Sequence, residues 1–65
     1  MTRQEAIEEM RKGKKITHEY FSNGEFIYMD GGRLFNESDL CLPFTKFWET
    51  RSDWPDEGWS VVEET

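Results

Sequence analysis

The fold is decided by residues 2–24, which are TRQEAIEEMRKGKKITHEYFSNG. The first part of this stretch predicts a helix over residues 3–12. Thr2 and Glu5 fit a capping box, in which each side chain accepts a hydrogen bond from the other residue's backbone N–H. An apolar stripe follows at Ala6, Ile7 and Met10. Gly13 suits the position after a helix, where the backbone takes a positive φ.

After Gly13 the hydrophobic period changes from 3.6 residues to two, which is typical of strands. Residues 15–21 alternate and predict a first strand. Asn23-Gly24 is the strongest short signal for a tight type I′ hairpin, because both central residues of that turn need φ > 0. Residues 25–30 alternate again, and residues 33–35 follow a Gly-Gly turn. The pattern therefore predicts a three-stranded meander.

The second half of the chain predicts one more helix and one more strand. Pro43 suits the first residue of a helix, and Phe44, Phe47, Trp48 and Arg51 then follow at the i, i+3, i+4, i+7 spacing of an amphipathic helix. Residues 52–58 form a loop, and residues 59–63 alternate as a last strand. We expect a single α+β domain over residues 1–65, ordered α-β-β-β-α-β, with helices packed on a small antiparallel sheet.

Size and composition limit how this domain is stabilised. The chain has 65 residues, among them five Phe, three Trp and two Tyr. A domain of this size buries only about 60% of the surface that its unfolded chain exposes. It therefore needs dense aromatic anchors or a partner subunit, and a homo-oligomer is one expectation.

Several features indicate a cytoplasmic protein. The single cysteine, Cys41, cannot form an internal disulfide. The first residues begin a helix and do not resemble a signal peptide. No apolar stretch approaches the roughly 20 residues that span a bilayer, so we expect no membrane association.

Charge is distributed unevenly along the chain. The net charge is −6, and residues 1–35 contain equal numbers of acids and bases. Residues 36–65 hold eight acids against Lys46 and Arg51 alone. This disfavours a nucleic-acid partner, which needs a basic face. It favours either simple solubility or the presentation of acids to a basic partner.

The residue types needed for catalysis are sparse. His18 is the only histidine, and Cys41 lies between two leucines, where a thiol is usually buried and inert. A structural zinc site needs about four Cys or His ligands, and Gly31-Gly32 lacks the lysine and helix of a phosphate loop. We therefore expect no enzyme, no metal and no cofactor.

Six residues are candidates for binding a ligand or a partner. They are His18, Tyr20, Arg33, Arg51, Trp54 and Trp59. Trp54 lies in an acidic loop, where an exposed aromatic ring suits an interface. Trp59 is expected in the core or half-buried. His18 and Tyr20 either pack under a helix or line a groove, and the arginines either pair with neighbouring acids or hold an anion.

Two stretches resemble a family of small phage and prophage proteins. The first runs from Glu5-Ala6-Ile7 through Gly13 to His18 and the hairpin Phe26–Met29; the second is residues 58–63, GWSVVE. The family includes Thoeris anti-defence proteins, which sequester cyclic nucleotide signals. This chain has Tyr20-Phe21-Ser22-Asn23-Gly24 where those proteins often carry a Gly-Trp-Asn-Gly turn. The resemblance implies a phage origin, oligomers, and action in the bacterial host cell.

Three functions remain open from the sequence. In the first, the acidic, tryptophan-bearing second half binds a host protein and so counteracts a defence system. In the second, an oligomer sequesters a cyclic nucleotide in a pocket between subunits, lined by Tyr20, Trp54 or Trp59 and an arginine. In the third, the chain is an accessory structural domain.

Overall fold

The computed structural model describes residues 1–62 and confirms a small α+β fold. Its elements are α1 (Arg3–Arg11), β1 (Ile16–His18), β2 (Ile27–Asp30), β3 (Arg33–Asn36), β4 (Cys41–Leu42), α2 (Phe44–Glu49) and β5 (Trp59–Val61). Within residues 1–62, neither helix is long and apolar enough to cross a membrane. The last predicted strand is seen from Trp59 to Val61, and its remainder from residue 63 lies outside the described residues.

Helix α1 has the predicted caps at both ends. The Glu5 amide donates to Thr2 Oγ1 at 3.2 Å, and the Thr2 amide donates to Glu5 Oε1 at 2.9 Å. The hydrogen bond from the Thr2 backbone favours the charged carboxylate and lowers the pKa of Glu5. Gly13 has φ 94°, so the chain leaves the helix in a conformation that glycine adopts without steric cost.

The five strands form one antiparallel sheet in the order β4-β3-β2-β1-β5. Alternate strand residues face the helices and build a single core. Its buried apolar members are Ala6, Met10, Ile16, Ile27, Leu34, Phe47, Trp48 and Trp59. Both helices contribute to this cluster, so they cover the same face of the sheet. The opposite face carries a row of aromatic rings at Phe26, Tyr28 and Phe35.

The predicted tight hairpin after β1 is wrong. Strand β1 ends at His18, and residues 19–26 form a longer connection before β2. Gly24 has φ 84°, but Asn23 does not have the positive φ that a type I′ turn needs. The Phe21 amide donates to the His18 carbonyl at 2.9 Å and turns the chain inward. Packing of the Phe21 ring on the core replaces the regular alternation.

Residues 40–42 also differ from expectation. Cys41 and Leu42 form the short edge strand β4, so the meander has one more strand than predicted. Cys41 is exposed, whereas its leucine neighbours suggested burial, because it opposes Phe35 on the outer face of the sheet. Pro43 stands at the N-cap of α2, one position before the first helical residue.

The connecting segments gather at two ends of the sheet. We call one the acidic end: it comprises residues 19–26, 37–40 and 50–58 and carries Glu19, Glu25, Glu37, Asp39, Asp53, Asp56 and Glu57. We call the other the basic end: it comprises residues 11–15 and 30–33 and carries Arg11, Lys12, Lys14, Lys15 and Arg33 against Asp30.

Helix α1 runs from the acidic end to the basic end. At its start, the Met1 amino group donates to the Trp59 carbonyl at 3.1 Å. At its finish, Met10 and Arg11 line a hollow together with Gly31 and Gly32. The two ends are therefore separated by the full length of the helix.

Candidate binding site at the acidic end

His18 is the buried polar residue around which the acidic end is built. Its side chain is 3% exposed. The Tyr20 amide donates to His18 Nδ1 at 3.0 Å, and His18 Nε2 lies 3.0 Å from the Glu57 carbonyl. Because Nδ1 acts as an acceptor, Nε2 carries the proton and donates it to that carbonyl. The ring therefore ties the turn after β1 to the loop before β5.

Aromatic rings surround His18 and form what we call the aromatic cluster. Its members are His18, Tyr20, Phe21, Trp54 and Trp59. The His18 ring lies 4.4 Å from the Trp59 ring and 4.8 Å from the Trp54 ring, measured between centroids. Trp54 in turn meets Tyr20 edge-on at 5.3 Å. Contacts of this kind stabilise by about 0.5–1.5 kcal/mol each beyond the area that they bury.

The cluster has an inner and an outer layer. Trp59 is 2% exposed and rests on Trp48 at 5.3 Å, so it belongs to the core. Tyr20 is 55% exposed, and Trp54 is half-buried. The outer rings are thus held in place from beneath, while Tyr20 and part of Trp54 remain open to a partner.

Arg51 extends the cluster toward α2. Its guanidinium carbon lies 3.8 Å from the centroid of the Phe47 ring and 5.2 Å from that of Trp54. Its Nη1 donates to the Phe47 carbonyl at 3.1 Å. Burial lowers the pKa of Arg51, and the charge of Glu25 opposes this shift. Arginine keeps its charge in proteins, so a fixed cation lies within this aromatic surface.

Acidic residues form a rim around the outer layer. Glu19 and Asp53 are exposed, next to Tyr20 and Trp54 in the chain. Asp56 accepts a hydrogen bond from the Arg3 amide at 3.3 Å, and Glu57 lies 3.6 Å from the Met1 amino group. The site therefore presents aromatic rings and Arg51 next to several carboxylates, and Arg3 lies behind Arg51, donating from Nη2 to its carbonyl at 3.2 Å.

Arg33 is the one candidate that the fold keeps away from this site. It opposes Asp30 at the start of β3, while Ile16 opposes Ile27 between β1 and β2. This register places Arg33 at the basic end and His18 at the other, with roughly 17 Å of strand length between them. The other five candidates lie together: His18, Tyr20, Arg51, Trp54 and Trp59.

Sequence reasoning missed Phe21 as a member of the cluster. Its ring lies 5.8 Å from Trp54 and 5.9 Å from Trp59. In a regular strand Phe21 would point away from His18 and Tyr20, because alternate residues face opposite sides. The strand ends before it, and only the density of aromatic residues in residues 18–21 could have signalled this packing.

The described residues do not assemble a nucleophile or a metal site. Cys41 on β4 lies three strand positions from His18 on β1, which is about 14 Å, and on the opposite face of the sheet. Among residues 1–62, no group of three His, Cys, Asp or Glu side chains is placed to hold a metal ion.

Comparison of the chain with protein-family models, curated proteins and solved structures gave no match. The likeness to phage anti-defence proteins therefore remains a prediction from the sequence.

Proposed function

We propose that this protein is a non-catalytic binding protein whose acidic end recognises a basic surface on another protein. The observation that carries the proposal is the pairing of Tyr20 and Trp54. Their rings meet edge-on at 5.3 Å at the surface, and Tyr20 is 55% exposed. Tyrosine, tryptophan and arginine are the residues that contribute most to protein interfaces.

The rigidity of the outer rings supports this function. Trp54 contacts His18 at 4.8 Å, and both nitrogens of His18 are hydrogen-bonded. A side chain that is ordered before binding loses less conformational freedom on association. Tyr20 and Trp54 can therefore contribute their contact area at a low entropic cost.

The carboxylates around the rings define the partner's chemistry. Glu19 and Asp53 are exposed and adjoin Tyr20 and Trp54 in the chain, and Asp56 is exposed in the same loop as Trp54, so these carboxylates attract lysine or arginine side chains. A cation above the face of Tyr20 or Trp54 gains roughly 0.5–1 kcal/mol at an exposed site. The partner is thus expected to offer basic side chains around an apolar contact.

The resemblance to phage anti-defence proteins suggests the setting. In that setting the partner is a bacterial host protein of a defence system, and binding blocks its action. An accessory structural domain would retain the fold without this binding.

Affinity capture from a bacterial lysate, followed by calorimetry with the purified partner, tests the proposal. The Tyr20→Ala and Asp53→Lys variants are expected to lose at least tenfold in affinity. Phe44→Ala is the matched control, because Phe44 is 37% exposed and lies at the basic end, outside the proposed binding surface. Equal affinity for the wild type and the Tyr20→Ala variant contradicts the proposal.

A separate measurement distinguishes nucleotide sequestration from protein binding. A cyclic nucleotide present at 100 times its dissociation constant stabilises the protein by about 2.7 kcal/mol. Thermal unfolding with a panel of cyclic nucleotides is expected to show no such shift. A shift that disappears in the Trp54→Ala variant replaces protein binding with nucleotide sequestration.

A further inference from the structure

A hollow lies at the basic end of the sheet. Its volume is about 480 Å³, and it is lined by Met10, Arg11, Met29, Gly31, Gly32 and Phe44. Methionine side chains adapt their shape and make favourable contacts with aromatic rings. The floor of the hollow is therefore suited to an apolar or aromatic side chain.

The glycine turn keeps this hollow open. Gly31 and Gly32 have φ 59° and 80°, and the position of a Cβ on either would meet no atom within 4 Å. Phe44 is 37% exposed, so its ring is available from the opposite wall. A side chain approaching from outside meets a thioether, a phenyl ring and bare backbone.

One exposed cation, Arg11, lines the hollow, and Lys14 and Arg33 belong to the same end of the sheet. Arg11, Lys14 and Arg33 are exposed, and the ion pairs found among residues 1–62 involve other residues, namely Met1 with Glu57 and Lys12 with Glu9. Arg33 follows Gly32 directly, but it points to the outer face of the sheet, because the next residue, Leu34, is buried under the helices. Arg11 is therefore the cation that can bind an acidic group of a partner beside the apolar contact.

The acidic end of a second copy has the complementary properties. It projects Tyr20 and Trp54, and it surrounds them with Glu19 and Asp53. We infer that the aromatic, acidic end of one copy docks into the basic hollow of the next, head to tail. The contact joins two different surfaces, so it is heterologous and builds either a closed ring or an open chain of copies.

The basic hollow is a second surface, which the proposed partner does not use, whereas the acidic end takes part in both contacts. A second copy and a basic partner compete for it, so assembly shields the binding surface until a partner displaces a copy.

Sedimentation velocity of the full chain tests the inference. At about 50 mM salt we expect a species of at least twice the chain mass of 7.8 kDa, which shifts toward the single chain at about 500 mM salt as the charges are screened. A single chain at low salt and high concentration overturns the inference. A mass that does not respond to salt also overturns it, and points instead to the outer aromatic face of the sheet.

Charge reversal identifies the surfaces. Arg11→Glu and Asp53→Lys are each expected to give a single chain at low salt. The controls Lys46→Glu and Glu8→Lys reverse exposed charges on the two helices, and they should assemble like the wild type. If controls and site variants behave alike, the contact is not the one inferred.

Mixing the two site variants gives the sharpest result. Arg11→Glu retains an intact acidic end, and Asp53→Lys retains an intact basic end. Their mixture is expected to form a complex of at least twice the chain mass, because the intact acidic end of the first variant docks into the intact basic end of the second. A mixture that remains single-chained, while each variant keeps the far-ultraviolet circular dichroism of the wild type, overturns the inference.

Discussion

The acidic and basic ends of this sheet differ in how the segments that connect the strands are packed. The acidic end is closed by side chains: His18, Trp54 and Trp59 fill the space between the segments that connect the strands. The basic end is closed by backbone, with Gly31 and Gly32 making a two-residue turn around open space. One sheet thus carries a packed, rigid surface at one end and an adaptable hollow at the other.

Removing the anchor of the acidic end should have the largest effect. Trp59→Ala deletes a ring that is 2% exposed and contacts His18 and Trp48, and such truncations cost about 3–5 kcal/mol. Phe44→Ala is the comparison at the basic end, where the ring is 37% exposed. Urea unfolding should show a much smaller loss for Phe44→Ala. Equal losses would mean that the two ends are packed alike.

A Gly→Ala substitution at each end compares the packing of the two ends directly. A Cβ at Gly58 would lie 2.8 Å from His18 Nε2, and its φ is 106°, so Gly58→Ala combines a clash with backbone strain. Gly32→Ala has the strain alone, since nothing lies within 4 Å. We expect about 1 kcal/mol for Gly32→Ala and about 2 kcal/mol or more for Gly58→Ala, measured by thermal unfolding. The reverse order would contradict the packing described for His18.

The capping box tests how firmly α1 is fixed at the acidic end. Thr2→Ala should cost about 1 kcal/mol at neutral pH. The pKa of Glu5 is lowered in the folded chain, so its contribution is present above the ordinary value of 4.5 and is lost as pH falls through the lowered pKa.

The free energy of unfolding, measured against pH, should therefore fall less steeply below pH 4.5 in the Glu5→Gln variant than in the wild type. Glutamine retains the acceptor of a capping box without the titration. Identical slopes would show that Glu5 does not hold its predicted bond in solution.

The smallest effect is expected on the outer face of the sheet. The Tyr28 hydroxyl donates to the Asp39 carboxylate, and this bond raises the pKa of Tyr28 above its ordinary 10.0. The stabilisation is present below pH 10.0 and is lost as pH rises through the raised pKa. Absorbance titration in a Tyr20→Phe background isolates this phenol. Asp39→Asn should move its midpoint back toward 10.0, and an unchanged midpoint would exclude the bond.

The sequence predicts helix α1 well because its signals are local. Thr2, Glu5 and Gly13 act within one or two turns of the backbone, and each holds its predicted role. The end of β1 could not be predicted in this way. Alternation through Phe21 favours a longer strand, but the chain turns because Phe21 packs on Trp54 and Trp59, which lie more than thirty residues away.

The candidate site also combines features that local sequence predicts with features that depend on long-range packing. Residue type alone identifies Trp54, Arg51 and Tyr20 as suited to binding. Their assembly around His18 depends on the register that sets His18 opposite Trp59. The registers of β1 with β2 and of β2 with β3 place Arg33 at the basic end, and an arginine carries no local signal of the sheet end at which it will lie.

The close packing of the three tryptophans also determines which regions of this molecule its intrinsic spectroscopic signals report on. Trp48 lies 5.3 Å from Trp59, and Trp59 lies 6.4 Å from Trp54, so every indole of the chain belongs to one contiguous group. Rings this close are expected to exchange excitation energy and to give coupled bands in near-ultraviolet circular dichroism. Intrinsic fluorescence therefore reports on the aromatic cluster together with Trp48, which is also one contact away from the basic hollow, since its ring lies 6.0 Å from that of Phe44.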